Sequence, residues 1–239
     1  MTVSVADTSK TLVVLQPGYL PWLGFFDQMR RADVFVYYDD VQFDKHGWRN
    51  RNRIKTPNGP LWLTVPVRHH GLGQPLIMDA LIDNTAGWAR KHAASLRQYY
   101  AKAPHVQRYL PELEALLQRP WTHIVDLDLA AVDLMRGWLG ITTEVHRASQ
   151  TGVAGGQSER LVKLCQHFGA TRYLSGSAAR DYLEVPRFEE AGVSVAWQDY
   201  QHPVYPQQYG PFVAHLSAID LMFNCGDQSA EILKGGPTE

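Results

Sequence analysis

A strand, a rigid loop, a helix and a second strand follow one another near the start of the chain, and this order limits the folds open to it. TLVVL at residues 11–15 ends at QPG, residues 22–32 carry apolar side chains at helical spacing, and VFVYY follows at residues 34–38. Short apolar runs of this kind predict buried strands, and Pro-Gly predicts the turn that ends the first one. Such a unit favours parallel strand pairing, with functional loops at the carboxyl ends of the strands.

The same alternation returns after residue 143, and helical patterns fill the interval between the two regions. Residues 86–140 show three helical stretches broken at Pro104 and Pro120. We therefore predict one α/β domain over residues 1–239, with a mainly parallel, helix-flanked, Rossmann-like sheet and a helical insertion. Its α/β core would comprise residues 12–85 and 143–226, and residues 86–140 would form the insertion or cap.

The remaining segments of the chain lead to more local predictions. Residues 50–60 are polar and predict a turn-rich segment, whereas residues 61–67 predict a strand. We expect a short helix at Ala178–Leu183 after the strand TRYLSG. Residues 68–75, which contain two glycines, predict a mobile loop, and the final GGPTE predicts a disordered tail.

Composition and charge exclude several classes of protein. Apolar residues make up 45% of the chain and charged residues 20%, as in a globular protein. The formal charge of −1 gives no positive field for nucleic acid or for an anionic membrane, so we expect neither as a partner. The two cysteines make no disulfide framework, and the sequence shows no signal peptide and no apolar run of membrane-spanning length. We expect a cytoplasmic protein with a small-molecule substrate.

The loop that follows the first strand is the first candidate site. It is rigid and aromatic, and it leads into the N-terminus of a helix, where free N–H groups favour phosphates or carboxylates. Gln16, Tyr19 and Trp22 are its candidate substrate-binding residues. The alternative is a proline-fixed turn in which Tyr19 and Trp22 are packed as core.

Two adjacent carboxylates, Asp39 and Asp40, follow the second strand. Such a pair can bind a metal or orient an amine or hydroxyl, although neighbours in an extended segment point to opposite faces. Asp40 and Gln42 share one direction, so we favour a catalytic Asp40, a substrate-binding Gln42 and a structural Asp39, without a metal.

Basic residues alternate with other residues in WRNRNRIK, at positions 48–55. In an extended conformation Arg49, Arg51, Arg53 and Lys55 would lie on one face, forming a basic comb for phosphates, carboxylates or the acidic surface of an acyl carrier protein. The alternative is a solvated charged loop. Trp48 favours the binding interpretation, and the amide of Asn52 is a further candidate substrate contact.

The C-terminal third supplies the remaining candidates. A helix is expected after the strand TRYLSG, and Ser175 or Ser177 could cap it while the free N–H groups of the helix hold an anion. An ordinary N-cap explains the serines equally well. His202 could act as a general base or be a hydrogen-bonded structural residue. Tyr205 is a candidate substrate contact, and Asp220, within an apolar helix, needs a specific partner.

These segments resemble the WbqC-like family, whose members begin with a strand and a QPxYLPWLGFFDxM-type motif. Here the motif is QPGYLPWLGFFDQM at residues 16–29. The resemblance extends over nearly the whole chain, through DDVQF, WRNRNRI, WLTVPV, YLSGS, HPVYPQ and LSAIDLMFNCG. The family resembles enzymes of O-antigen sugar modification and natural-product biosynthesis. Leu15 stands where a histidine is often found, and Cys225 lies where variability is expected, which argues against a cysteine nucleophile.

The architecture is similar, more distantly, to HIGH-type nucleotidyltransferases, but the histidines that stabilise phosphoryl charge there are missing. The family resemblance points to no single reaction, and from the candidate residues we predict a biosynthetic enzyme that transfers or ligates an acyl or aminoacyl group onto an amine or hydroxyl of a small-molecule or sugar intermediate. Either ATP with magnesium or a thioester of coenzyme A or a carrier protein would activate the group. Arg49, Arg51, Arg53, Ser175 and Ser177 would then bind the cofactor. The alternative function is a non-catalytic module that binds a sugar-nucleotide or a partner.

Overall fold

The computed structural model describes residues 9–44, 47–68 and 74–235. The strands in these ranges are β1 (Thr11–Leu15), β2 (Val34–Tyr37), β3 (Arg51–Thr56), β4 (Gly59–Thr64), β5 (Glu144–Arg147), β6 (Arg172–Gly176) and β7 (Ser194–Gln198). The α-helices are α1 (Leu23–Arg30), α2 (Trp88–Tyr99), α3 (Val106–Leu117), α4 (Ile124–Trp138), α5 (Gln157–His167), α6 (Val185–Glu190), α7 (Ile219–Cys225) and α8 (Ser229–Leu233). The predicted loop at 68–75 and the predicted tail lie mostly outside the described residues.

A parallel sheet forms the first of two compact units, which contains residues 9–15, 28–38 and 143–199. Its strand order is β5-β2-β1-β6-β7, and every neighbouring pair is parallel. Apolar side chains of β1, β2 and β6 pack against Leu164 of α5 and Phe188 of α6. The predicted α/β class with a parallel, helix-flanked sheet is confirmed.

An antiparallel hairpin, β3–β4, belongs to the second unit, which contains residues 16–27, 39–142 and 200–235 in its described part. Its register runs from Arg51 opposite Thr64 to Thr56 opposite Gly59. Gly59 has a φ of +97°, which a residue with a side chain rarely adopts. The prediction of a turn-rich segment at residues 50–60 is therefore wrong, because most of it is a strand whose polar side chains have partners inside the protein.

Three helices occupy the predicted helical segment and belong to the same unit as the hairpin. Each buries one face, with Trp88 and Leu96 inward on α2, Leu113 and Leu117 on α3, and Leu127 on α4. No helix in the described ranges is long and apolar enough to cross a membrane.

The segment after β6 contains the predicted short helix, which is a 3₁₀ helix at Ser177–Asp181. No side chain caps this helix, because Gly176 takes the N-cap position. The predicted serine cap is therefore wrong. Ser175 is buried and hydrogen-bonded to the side chain of Tyr173, while Ser177 is exposed.

Candidate functional site

The loop after β1 is held in a strained conformation by the hairpin. The side-chain nitrogen Nδ2 of Asn52 donates to the backbone carbonyl oxygens of Tyr19 at 3.3 Å and Leu20 at 2.7 Å. Leu20 has a φ of +45°, a conformation that costs a residue with a side chain about 1–3 kcal/mol. Asn52 is therefore committed to fixing the loop, whose shape the surrounding structure imposes.

Arg49 binds the beginning of the same loop. One guanidinium nitrogen donates to the carbonyl oxygens of Gln16 and Pro17, both at 3.2 Å. A side chain at Gly18 would meet the carbonyl oxygen of Trp48 at 2.9 Å, so this approach of the two segments requires glycine. Burial lowers the pKa of Arg49, and the carboxyl group of Asp128 opposes that effect.

Next along the loop, Trp22 belongs to a cluster of aromatic rings and histidines. Its ring is stacked with that of His202 at a centroid distance of 6.5 Å and lies 5.1 Å from that of His215. The His202 and His215 rings are 5.2 Å apart, and Phe212 lies 5.6 Å from His202. The fold therefore brings Trp22 and His202, which lie near opposite ends of the chain, into one cluster.

The hydrogen bonds of His202 fix its tautomer. Nδ1 lies 2.9 Å from the carbonyl oxygen of Pro203, and because a carbonyl can only accept, Nδ1 carries the proton. Nε2 of the neutral ring then bears a lone pair, and it is buried with no hydrogen-bond partner among the described residues. Burial lowers the pKa of His202, which keeps the imidazole neutral near pH 7.

Arg53 connects this cluster to an exposed surface of the hairpin. A terminal guanidinium nitrogen donates to the carbonyl oxygen of His215 at 3.1 Å. The guanidinium carbon lies 5.5 Å from the ring centroid of Trp48 and 5.6 Å from that of Trp62. The guanidinium of Arg51 lies over Trp62 at 4.6 Å.

The predicted four-residue basic comb is wrong in its extent. Arg51 and Arg53 share a face with Trp62, but Arg49 precedes the strand and points to the loop carbonyls. The ammonium group of Lys55 is turned inward, where it donates to Gln207 at 3.1 Å and to the carbonyl oxygen of Pro211 at 2.6 Å. Internal acceptors draw these two cations away from the common face.

A polar network built on Asp220 holds the segment that carries His202. Its carboxylate accepts hydrogen bonds from Tyr100 at 2.7 Å, Tyr205 at 3.0 Å and Gln207 at 2.8 Å. Burial raises the pKa of Asp220, against the lowering effect of these donors and of Lys55. Asp220 thus has the specific partners expected of it, and the hydroxyl of Tyr205 is committed to that carboxylate.

A second buried cluster contains residues that the sequence analysis missed. The hydroxyl of Tyr19 lies 2.9 Å from Nδ1 of His92. Asp128 on α4 is fully buried, and neither carboxyl oxygen has a hydrogen-bond partner among the described residues. Burial raises the pKa of Asp128 well above its usual range, although Arg49 lowers it.

Helical spacing could have revealed both of the missed residues. His92 lies four residues from each of the buried Trp88 and Leu96. Asp128 lies four residues from the buried Ile124 and from Val132. A titratable residue at a position of the buried face needs either a partner or a function, so each was a candidate.

The other predicted residues lie near the ends of strands. Asp39 is buried and its carbonyl oxygen accepts from the backbone of Met78, whereas Asp40 is half-buried and Gln42 is exposed. Ser175 and Ser177 belong to the first unit. The roles expected of Asp40, Gln42, Ser175 and Ser177 stay predictions.

Neither a metal cluster nor a reactive thiol marks the part of the chain that the structure describes. It contains no group of three or more histidine, cysteine, aspartate or glutamate residues that could hold a metal ion. Cys165 and Cys225 are buried and unbonded to each other. Burial raises the pKa of the Cys165 thiol to about 12, and burial together with Asp220 raises that of Cys225 to about 11. Neither thiol is a ready nucleophile near pH 7.

A family model for the WbqC-like protein family matches residues 16–232. The chain belongs to the WbqC-like family. This WbqC-like protein is similar to the uncharacterized protein Rv1507c of Mycobacterium tuberculosis, with 37% identity over 227 residues, which cover 94% of this chain and 98% of that protein. A comparison with the crystal structure of CmiS6 gives 11% identity and a TM-score of 0.19 over 82% of this chain and 54% of that one, and a likeness this weak supports no inference.

Proposed function

We propose that this WbqC-like protein is a biosynthetic enzyme that transfers or ligates an acyl or aminoacyl group onto an amine or hydroxyl. The observation that carries the proposal is the imidazole of His202, whose tautomer presents a lone pair on a buried and unpartnered Nε2. Buried polar atoms in native proteins are nearly always paired, so an orphan of this kind calls for a functional explanation. A neutral imidazole is suited to general-base catalysis.

In the proposed step, the substrate amine or hydroxyl attacks the carbonyl carbon of the activated acyl group. His202 Nε2 takes the proton from the attacking atom, and the phosphate or thiolate leaving group departs with its electron pair. The carbonyl oxygen of Pro203, which accepts from Nδ1, would stabilise the imidazolium that forms. Asp40 would orient the amine.

Arg51 and Arg53 would hold the phosphates of the activated donor. Both guanidinium groups lie on the hairpin, and Arg53 reaches the backbone of His215, whose ring lies 5.2 Å from that of His202. Binding at the hairpin would therefore place the donor close to the base. Arg49, Ser175 and Ser177 remain predicted donor-binding residues, although Arg49 already uses one nitrogen in the loop.

A non-catalytic module that binds a sugar-nucleotide or a partner enzyme is the second candidate. The exposure of Trp48 and Trp62 beside two arginines favours it, because recognition alone would need such a surface. Isothermal titration with ATP, acyl-coenzyme A and sugar-nucleotides would first identify a ligand. Product formation with amine and acyl donors then decides between the two, since tight binding without turnover would favour the module.

The decisive variant is His202→Ala, with His167→Ala, an exposed histidine of the first unit, as control. Loss of a general base typically lowers kcat by about 10²–10⁴-fold and leaves ligand binding largely intact. We expect His202→Ala to keep a near wild-type melting temperature and ligand affinity while losing turnover. Early melting with retained specific activity would show that His202 is a structural residue.

A further inference from the structure

The hairpin displays an aromatic and cationic surface made of Trp48, Arg51, Arg53 and Trp62, which we call the indole–guanidinium face. Trp48 and Trp62 are 40% and 42% exposed, unlike most large apolar side chains of the described chain. Their ring centroids are 5.2 Å apart at an interplanar angle of 41°. Two indoles are thus held together at the surface without being covered.

Strand register explains why this face is preorganised. Arg53 pairs directly with Trp62 across the antiparallel ladder, and Arg51, two residues earlier, points to the same side. The contacts between these guanidinium groups and the indoles hold flat π-surfaces and positive charge in one place. A ligand that binds there needs little side-chain ordering, which lowers the entropic cost of association.

We infer that the indole–guanidinium face binds a nucleoside diphosphate, with its base stacked on the planar groups of this face and its phosphates bound by Arg51 and Arg53. Flat aromatic and guanidinium planes stack nucleobases, and guanidinium groups bind phosphates in a bidentate manner. The charge and the shape of the face therefore match the two halves of one ligand. Phosphopantetheine would match only the charge, through its phosphate, because its pantetheine arm is aliphatic and has no flat ring to stack.

The inference rests on the proposed function and names the class of its donor. The sequence leaves open whether ATP or a thioester activates the acyl group. ATP and coenzyme A, either of which would activate the acyl group, both carry a nucleoside diphosphate, whereas the phosphopantetheine of a carrier protein carries no base. The donor of this enzyme is therefore a free nucleotide compound and not a carrier-bound thioester.

Calorimetric titrations of the full chain with ADP, UDP, coenzyme A and phosphopantetheine test this. We expect at least one compound that carries a nucleoside diphosphate to bind at least about tenfold more tightly than phosphopantetheine, since stacking contributes about that factor or more per base. ADP should bind more tightly than UDP, because ATP and coenzyme A both carry adenine. A preference for UDP would indicate a sugar-nucleotide, which carries no activated acyl group, and would overturn the assignment of the donor. Trp62→Leu and, independently, Trp48→Leu should remove this advantage, because nucleotide affinity should fall by a larger factor than the affinity for phosphopantetheine.

Tyr182→Leu is the matched control, because it removes a 69% exposed aromatic side chain from the first unit. It should leave all four affinities unchanged, and circular dichroism would confirm that each variant folds. Equal affinity for phosphopantetheine and the nucleoside diphosphates, or undiminished nucleotide binding in both tryptophan variants, would overturn the inference. Turnover from a carrier-bound thioester that is lost in His202→Ala would also overturn it, yet would uphold the proposed function.

Discussion

Replacement of His92 by glutamine should flatten the pH dependence of stability. Burial lowers the pKa of His92 from 6.5 to about 4, against the raising effect of its hydrogen bond to the backbone of Thr64. A carbonyl only accepts, so the imidazole donates to Thr64 and its Nδ1 accepts from the hydroxyl of Tyr19. Glutamine can donate and accept in the same way, but it does not titrate.

The sign and the magnitude of the effect follow from linkage. Because the folded-state pKa is depressed, the unfolded chain binds the proton first as the pH falls, and stability present above pH 6.5 is lost towards pH 4. A tenfold change in an equilibrium constant is worth about 1.4 kcal/mol, so the whole displacement corresponds to about 3 kcal/mol. About 2 kcal/mol of this falls between pH 7 and pH 5.

Urea denaturation of both proteins at pH 7, 6 and 5 measures the difference. Relative to wild type, His92→Gln should lose about 2 kcal/mol less of its free energy of unfolding between pH 7 and pH 5. His167→Gln, which removes an exposed imidazole, controls for the loss of any histidine. Parallel curves for wild type and His92→Gln would refute the reasoning, because the buried imidazole would then not resist protonation.

Three further substitutions test the buried carboxylates and the aromatic cluster. Asp128→Asn should raise the free energy of unfolding at pH 8 by about 1–3 kcal/mol. The folded-state pKa of Asp128 is raised, so the wild-type protein loses stability as the pH rises, whereas asparagine does not titrate. Tyr100→Phe, which removes a hydroxyl bonded to Asp220 at 2.7 Å, should cost about 1–3 kcal/mol in urea denaturation. Gly24→Ala places a methyl group in the indole of Trp22, and displacement of that ring should lower kcat on the order of 10²-fold in steady-state assays.

Each of these three substitutions has a control and a contrary outcome. The advantage of Asp128→Asn should shrink at pH 5, and a constant difference would mean that the acid does not titrate in this range. Tyr182→Phe, at an exposed ring, should be neutral, and an equal cost would remove the significance of Tyr100→Phe. Gly137→Ala, in α4 with open space beside it, should keep full activity, and full activity in Gly24→Ala would contradict the packing argument.

The sheet was predictable because its strands depend on local apolar runs. The runs TLVVL and VFVYY predict buried strands, and the helix between them predicts that the two strands pair in parallel, as they do. The hairpin was missed because Asn52 and Lys55 look solvated in the sequence, yet both are buried with partners far along the chain. An Asn-Gly pair at residues 58–59 carried the hairpin signal.

The candidate site was predictable only in part, because partners are chosen in three dimensions. The sequence singles out Trp22 and His202 as candidates, but it does not show that their rings are stacked. It shows four alternating cations, but it does not reveal that the guanidinium of Arg49 binds backbone carbonyl groups of the loop. Asp128 lies in a segment that resembles an ordinary amphipathic helix, and only its burial distinguishes it.

The two buried cysteines also have a practical consequence for spectroscopy. With their thiol pKa values raised to about 12 and about 11, Cys165 and Cys225 should react slowly with maleimide dyes at neutral pH. A cysteine introduced at the exposed Tyr182 would then take up the label almost alone. Single-site fluorescent conjugates could therefore be prepared from the natural background, without first deleting either native cysteine.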